Sequence, residues 1–365
     1  MVIALVIVFM IALALSFYEE RLVERDKVIS FILFGIALIF IAGTRGVFDT
    51  PDSLEYEEMF YDAGSGTLLE AANEPTFRFF SVTLRDAGFG INALFFLYAL
   101  ISVPLHLRCL WKMSTLPMLS LVVYLSYYYQ MHDLVQMRCS VASVLFLFAI
   151  YYYCEHKKIY AFFCILAGIF FHYSAAAGFL IFFFNNKEWS RWKVWTSCLI
   201  VPVGLVVYYS GIDISYIVPE GLGGDKLETY RKLRDSGIDE ELAGWDLKGN
   251  AVIWLNVLLF YGALAYRTTL AEYCKYTHLM IKILALAFVC LFFLHNVSAV
   301  LASRLCDYFE VVTIILWTAA VYAFSPLIAG KVLINFVSLL RFVLSLTRIV
   351  IVTRNLSTLC RLSTD

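Results

Sequence analysis

Apolar residues in this chain run in long blocks, and the blocks have the length of membrane crossings rather than of single helical faces. A spanning helix needs about 20 predominantly apolar residues, within roughly 17–25. Blocks at 2–17, 28–43, 92–110, 117–131, 138–154, 194–210, 251–266, 277–295 and 305–324 predict transmembrane helices, some at the short end of that range. The stretch 159–184 behaves differently. It carries no charge apart from His172, yet both flanks are basic, with His156-Lys157-Lys158 before it and Lys187, Arg191 and Lys193 after it. Basic flanks mark the cytoplasmic side, so this stretch should cross an even number of times. At roughly 1.5 Å per residue it is too short for two full crossings. Two short helices meeting at Phe171-His172-Tyr173-Ser174 are predicted, a break tolerated where it is buried in protein or lines a cavity.

With that pair counted, the connections sort into two sets. The segments 18–27, 111–116, 155–158, 185–193 and 267–276 are expected in the cytoplasm. Those at 44–91, 132–137, 172–175, 211–250 and 296–304 are expected outside. About 11 crossings result (10–12), in an all-α polytopic integral membrane protein. The first block lacks a basic residue before it and is read as a retained helix, not a cleaved signal. Two outer connections are long. Residues 44–91 hold nine acids against three arginines, and 211–250 hold nine acids against five bases. Long mixed-polarity loops are more often functional than decorative. Residues 1–325 are read as the membrane core. From 326 to 365 there are no acids before Asp365, but Lys331, Arg341, Arg348, Arg354 and Arg361 are spread through the segment. That pattern suggests a basic cytoplasmic tail with an amphipathic helix on the anionic inner leaflet; a twelfth span over 327–352 is the alternative.

Composition sharpens this picture. Hydrophobic residues make up 61% and charged residues 16%, against about 45–50% and about 25% in soluble domains, so little room remains for a separate soluble domain. The lipid bilayer is therefore the first partner. Net charge is −1 and no basic cluster points to nucleic acid. Nine cysteines are scattered without a CxxC pair, which fits small buried hydrophobes rather than zinc ligands or a disulfide framework. No Walker loop or HExxH motif is present, and no metal or cofactor is expected.

The candidate chemistry lies in cations on the acidic outer side: Arg45, Arg78, Arg138, His172 and Arg304. Arg45 is the first charge after an apolar block, and Asp52 and Tyr56 follow it at helical spacing. Glu74 and Arg78 form an i,i+4 pair in the favourable order. Arg138 opens a helix beside Gln136 and His132, where the helix N-terminus already favours anions. His172 sits at the predicted break. Arg304 and Tyr308 are four apart, and Glu310 is a carboxylate inside a span that should face protein near a cation. Each cluster has a plainer reading: a snorkelling arginine, a structural ion pair, an interface anchor or a packed histidine. Together they place guanidinium groups, which bind phosphate bidentately, at the depth of a lipid-linked pyrophosphate.

The ordered series Arg45–Asp52–Tyr56, Glu74-Pro75-x-Phe77, Gln136-x-Arg138-x-x-x-Ala142, Lys157/Lys158, Phe171-His172-x-Ser174 and Arg304-x-x-x-Tyr308-Phe309 resembles the EpsG-like family of polysaccharide polymerases, which includes O-antigen polymerases of the Wzy type. Pro51 precedes Asp52 where the family commonly has glycine. The resemblance implies a GT-C-like helical fold in the bacterial inner membrane with its active site facing the periplasm. The reaction implied is metal-independent, inverting glycosyl transfer between undecaprenyl-pyrophosphate-linked glycans, with lipid pyrophosphate leaving and a chain-length regulator as partner. Asp52, Glu74 and His172 are the catalytic candidates, and Arg45, Tyr56, Arg78, Gln136, Arg138, Arg304 and Tyr308 the binding candidates. Intramembrane charge and a broken helix also suit a lipid-linked oligosaccharide flippase, and an O-antigen ligase-like transferase would share much of the same equipment.

Overall fold

In a computed structural model, residues 1–66, 74–213 and 250–362 are described, with side chains through residue 353. Among the described residues every regular element is helical. Seven helices among the described residues are long and apolar enough to cross a membrane. They are Val2–Arg21, Glu24–Gly43, Ile91–Met113, Met137–Cys154, Arg191–Ser210, Thr277–Leu294 and Leu327–Thr353. Ala251–Ala265 and Arg267–Tyr273, bent by 88°, make an eighth if counted as one span. Other expected crossings are met by shorter pieces, Lys158–Phe171, Tyr173–Phe183 and Thr313–Ala323. Most of the predicted loop 211–250 lies outside the described residues, as do residues 67–73 of the loop 44–91.

The chain divides into two compact units, Met1–Ala176 with Trp317–Asp365, and Ala177–Leu316. The first unit holds α1 (Val2–Tyr18), α2 (Glu24–Gly43), α3 (Ser53–Asp62), α4 (Pro75–Asp86), α5 (Ile91–Met113), α6 (Pro117–Val123), α7 (Met137–Cys154) and α8 (Lys158–Phe171). Proline occupies the first turn of both α4 and α6, where its missing N–H is no loss. The start of α6 is capped from a distance. The buried Glu19 carboxylate accepts from the backbone N–H of Met118 at 2.8 Å and of Leu119 at 3.3 Å, satisfying donors that the helix itself cannot. Beyond Val123 the helix widens to π-type hydrogen bonding over Tyr124–Val135, a rare geometry that clusters at functional sites. The predicted break is present. Lys158–Phe171 ends at His172, which is extended (φ −157°, ψ 122°), and a 3₁₀ segment follows over Tyr173–Phe183.

The second unit holds α9 (Arg191–Cys198), α10 (Ile200–Ser210), α11 (Ala251–Ala265), α12 (Arg267–Tyr273), α13 (Thr277–Leu294) and α14 (Ala299–Glu310). The close approach of α10 to α13 depends on Gly204, where a Cβ would meet the Phe292 side chain at 2.7 Å. Glu310 is buried, as expected, and accepts from the Asn256 amide at 2.9 Å.

The C-terminal segment departs from the amphipathic surface helix expected for it. After α15 (Thr313–Ala319), residues Leu327–Leu362 form one helix, α16. Lys331 pairs with Glu20 at 3.1 Å, Asn335 accepts from Ser16 at 3.1 Å, and Phe342 stacks on Phe9 with ring centroids 4.0 Å apart. Numbers fall along α1 as they rise along α16, so α16 runs antiparallel to α1, back across the first unit. Two of its basic residues, Lys331 and Arg341, face protein because neighbouring helices cover them. Lys331 is buried, and the fully buried Arg341 guanidinium lies 5.3 Å from the Tyr127 ring and 5.8 Å from that of Tyr128.

Gly330 seats the start of α16 against the preceding turn. A Cβ there would lie 2.5 Å from the Val321 carbonyl oxygen and 3.0 Å from its Cα, both backbone atoms. Gly330→Ala should therefore lower stability by about 1–3 kcal/mol, the usual effect of overpacking, read as a lower melting temperature in detergent. Gly262→Ala, which meets nothing within 4 Å, should leave the melt unchanged.

Candidate active site

At one end of the first unit, three segments distant in sequence meet on one carboxylate. Glu74 precedes α4 with extended backbone (φ −66°, ψ 148°). Its Oε2 accepts from Arg138 Nη1 at 2.6 Å, in the first turn of α7. Its Oε1 lies 2.8 Å from His172 Nδ1, at the break after α8. Glu74 is buried at 3% exposure, so each bond matters. Two further contacts hold the break in place. Thr76 Oγ1 donates to the Phe170 carbonyl at 2.7 Å, and the His172 N–H closes the last turn of α8 onto Gly168 O at 2.8 Å.

Arg138 is confined from the other side by aromatic faces, its guanidinium carbon 5.2 Å from the Tyr56 ring and 5.2 Å from the Phe77 ring. Tyr56 is also hydrogen-bonded to it. Arg138 Nε is buried with no hydrogen-bond partner among the described residues. It is a fixed cation. Beneath it lies an apolar cluster that includes Tyr56, Phe60, Phe77, Phe95, Tyr98 and Met137. A carboxylate, an arginine and an imidazole in a dry, aromatic-walled setting strengthen one another's fields.

Burial by itself would raise the Glu74 carboxyl, but the His172 hydrogen bond and the Arg138 charge outweigh it and hold it at about 2. Burial pushes the Tyr56 phenol up, out of the range where it would ionise.

Arg45 lies at this same end but is consumed internally. Its guanidinium donates to the Ala42 carbonyl at 2.8 Å and reaches Ser53 Oγ at 3.4 Å, the Asp133 carbonyl at 3.4 Å and Met137 Sδ at 3.8 Å, with its carbon 3.8 Å above the Phe95 ring. It ties α2, α3 and the π-helical segment together, and burial lowers its pKa to about 10. Asp52, half-buried before α3, lies near both Arg45 and Tyr56. Arg78 is exposed one turn into α4, and Gln136 is half-buried just before α7. Arg304 and Tyr308 lie on α14 of the second unit. They do not share an environment as their spacing suggests, since Arg304 is exposed and Tyr308 is fully buried.

Phe77 is the site residue the sequence undervalued; its cue was the pattern Glu-Pro-x-Phe. A polar chain inside the unit was missed altogether. Tyr124 donates to Asp133 Oδ2 at 2.6 Å, and Ser102 bonds Ser140 at 2.6 Å. No group of three or more His, Cys, Asp or Glu is placed to hold a metal ion among the described residues. A groove of about 550 Å³ between α2 and α5 lies toward Arg108 and Lys112, at the far end of those helices from Glu74.

The depressed Glu74 pKa makes acid stability testable. A carboxylate held below its ordinary 4.5 contributes stability that is complete above that value and fades as pH falls from about 4.5 toward about 2. The full linkage is about 3 kcal/mol at most. The melting temperatures of wild type and Glu74→Gln should differ most above pH 5 and converge as pH approaches 2. A constant difference would show that the carboxylate charge is not the source.

No match is found among curated proteins or among solved structures. A family model, that of the EpsG family, matches residues 28–358 and so spans the whole arrangement just described; the chain belongs to the EpsG family, which supports a general role as a polysaccharide polymerase.

Proposed function

We propose that the Glu74–Arg138–His172 cluster is the centre at which this polymerase joins lipid-linked repeat units, at the periplasmic face of the inner membrane. The observation that carries the reading is the shared Glu74 carboxylate. An ionised carboxylate accepts, so the His172 Nδ1 beside it carries the hydrogen, leaving the Nε2 lone pair for a substrate proton. That is the logic of an acid-oriented histidine base. Of the three candidate bases, His172 is assigned the proton transfer and Glu74 the orientation of its ring. A carboxyl at about 2 is itself too weak a base for a sugar hydroxyl.

In the proposed step, His172 Nε2 takes the proton of the acceptor hydroxyl. The hydroxyl oxygen bonds to the anomeric carbon of the donor. The bond from that carbon to the pyrophosphate oxygen breaks, and its electron pair leaves with undecaprenyl pyrophosphate. A single displacement inverts the anomeric centre. Arg138, held by Glu74 and by the Tyr56 and Phe77 faces, offers a preorganised charge to the leaving oxygens. Asp52 and exposed Arg78 are assigned to the sugars. Arg45 holds the scaffold. Arg304 and Tyr308 belong to the second unit and are not assigned to this centre.

The test uses a host lacking its own polymerase, with ladder length as readout. Loss of a general base typically lowers rate about 10²–10⁴-fold. His172→Ala and Arg138→Ala should therefore give single-repeat product from normally inserted protein. Long chains persisting with Arg138→Ala would overturn its role. Repeat units accumulating inside the cell would indicate a flippase. Purified protein that lengthens chains only with a second acceptor type would indicate a ligase.

A further inference from the structure

The second unit carries a separate set of charged residues. Between the 3₁₀ segment and α9, residues 184–190 wrap a pocket of about 310 Å³ whose wall includes Lys187, Glu188, Trp189, Lys193 and Lys282. Lys282 comes from α13, a span by length and composition, and is 4% exposed. A lysine there normally finds an acid. This one instead donates to the Asn185 carbonyl at 2.7 Å, Asn185 Oδ1 at 3.0 Å and the Lys187 carbonyl at 2.7 Å. All three of its protons meet neutral acceptors, so its position is fixed and its charge is not neutralised. Glu188, the acid on the wall, is paired with Arg267 at 2.9 Å. The pocket thus holds three ammonium groups and one carboxylate already engaged elsewhere.

The surroundings set its depth. Phe183 is 84% exposed, Trp192 75% and Trp195 71%. Exposed tryptophans beside lysines mark the level where hydrocarbon meets headgroups. A cationic pocket at that level, rimmed by aromatic side chains, matches an amphiphile with a phosphate at its head and acyl chains below it.

We propose that this pocket binds the phosphate of an anionic phospholipid. Lys187 and Lys193, both exposed, supply the donors, Lys282 supplies fixed positive charge from below, and Phe183 and Trp195 flank the acyl chains. The site is separate from the glycan chemistry and does not rest on it.

The full-length protein, delipidated in mild detergent, is titrated with phosphatidylglycerol or phosphatidylcholine and read by native mass spectrometry. Wild type should prefer phosphatidylglycerol. Lys187→Ala with Lys193→Ala should weaken phosphatidylglycerol binding roughly thirtyfold, the effect of removing two such lysines, with phosphatidylcholine binding and the melting temperature unchanged. Lys193→Glu alone should abolish the preference. Equal binding of the two lipids by wild type, or a preference that survives the double substitution, overturns the site. Glycerol 3-phosphate competing as well as the lipid overturns the assignment to a lipid headgroup.

Discussion

The bonds from Arg138 and His172 to the Glu74 carboxylate hold one end of the first unit in register. They join a connection after α3, the first turn of α7 and the break after α8, segments separated by 64 and 98 residues. Taking a carboxylate and a guanidinium out of water is unfavourable, and only close pairing with further hydrogen bonds offsets it. That constraint explains the detail around the pair. Glu74 sits before its helix with extended backbone, Thr76 pins the end of α8, and rings of Tyr56 and Phe77 wall the arginine. Loosening any one of these would leave a charge without its partner.

The same constraint shapes the chemistry proposed for the site. Glycosyl transfer from a lipid pyrophosphate has a good leaving group from the start. What the protein must add is a correctly turned base and a charge already in position before the bond breaks. A carboxylate shared between an imidazole and a guanidinium supplies both with one side chain. The break at His172 suits this proposed role, because a continuous helix would carry the imidazole past Glu74 on a fixed helical path. An extended residue between two short helices presents it directly.

The interior of the first unit is more polar than its hydropathy suggests. Arg45, Arg341, Asp133 and Glu19 are all buried, and each is met by backbone carbonyls, aromatic faces, a tyrosine hydroxyl or helix N–H groups. In a membrane such groups face protein because lipid offers them nothing. They fasten α2, α16, the π-helical segment and α6 to their neighbours. The second unit repeats the theme with Lys282, whose acceptors are carbonyls.

Much of this was legible before any coordinates. Apolar block length gave most of the spans, since crossing a bilayer imposes a length that local sequence must meet. Two basic flanks around an uncharged stretch located the break at His172, because charge sidedness and helix rise together admit few solutions. Glu74, Arg138 and His172 each stand out in the sequence, Glu74 in an i,i+4 pair with Arg78, Arg138 at a helix start and His172 at the break. Sequence could not say that they share one carboxylate, nor that Arg45 is turned inward, nor that Arg304 and Tyr308 differ in exposure. Those outcomes depend on which helices become neighbours. The C-terminal helix makes the point most directly. Its lysine and arginines read as a basic surface, and only packing against α1 and the π-helical segment made two of them interior. Local sequence determines where a helix can form and whether lipid tolerates it. Which side chain meets which is decided by contacts between segments tens or hundreds of residues apart, and those exist only once the chain has folded.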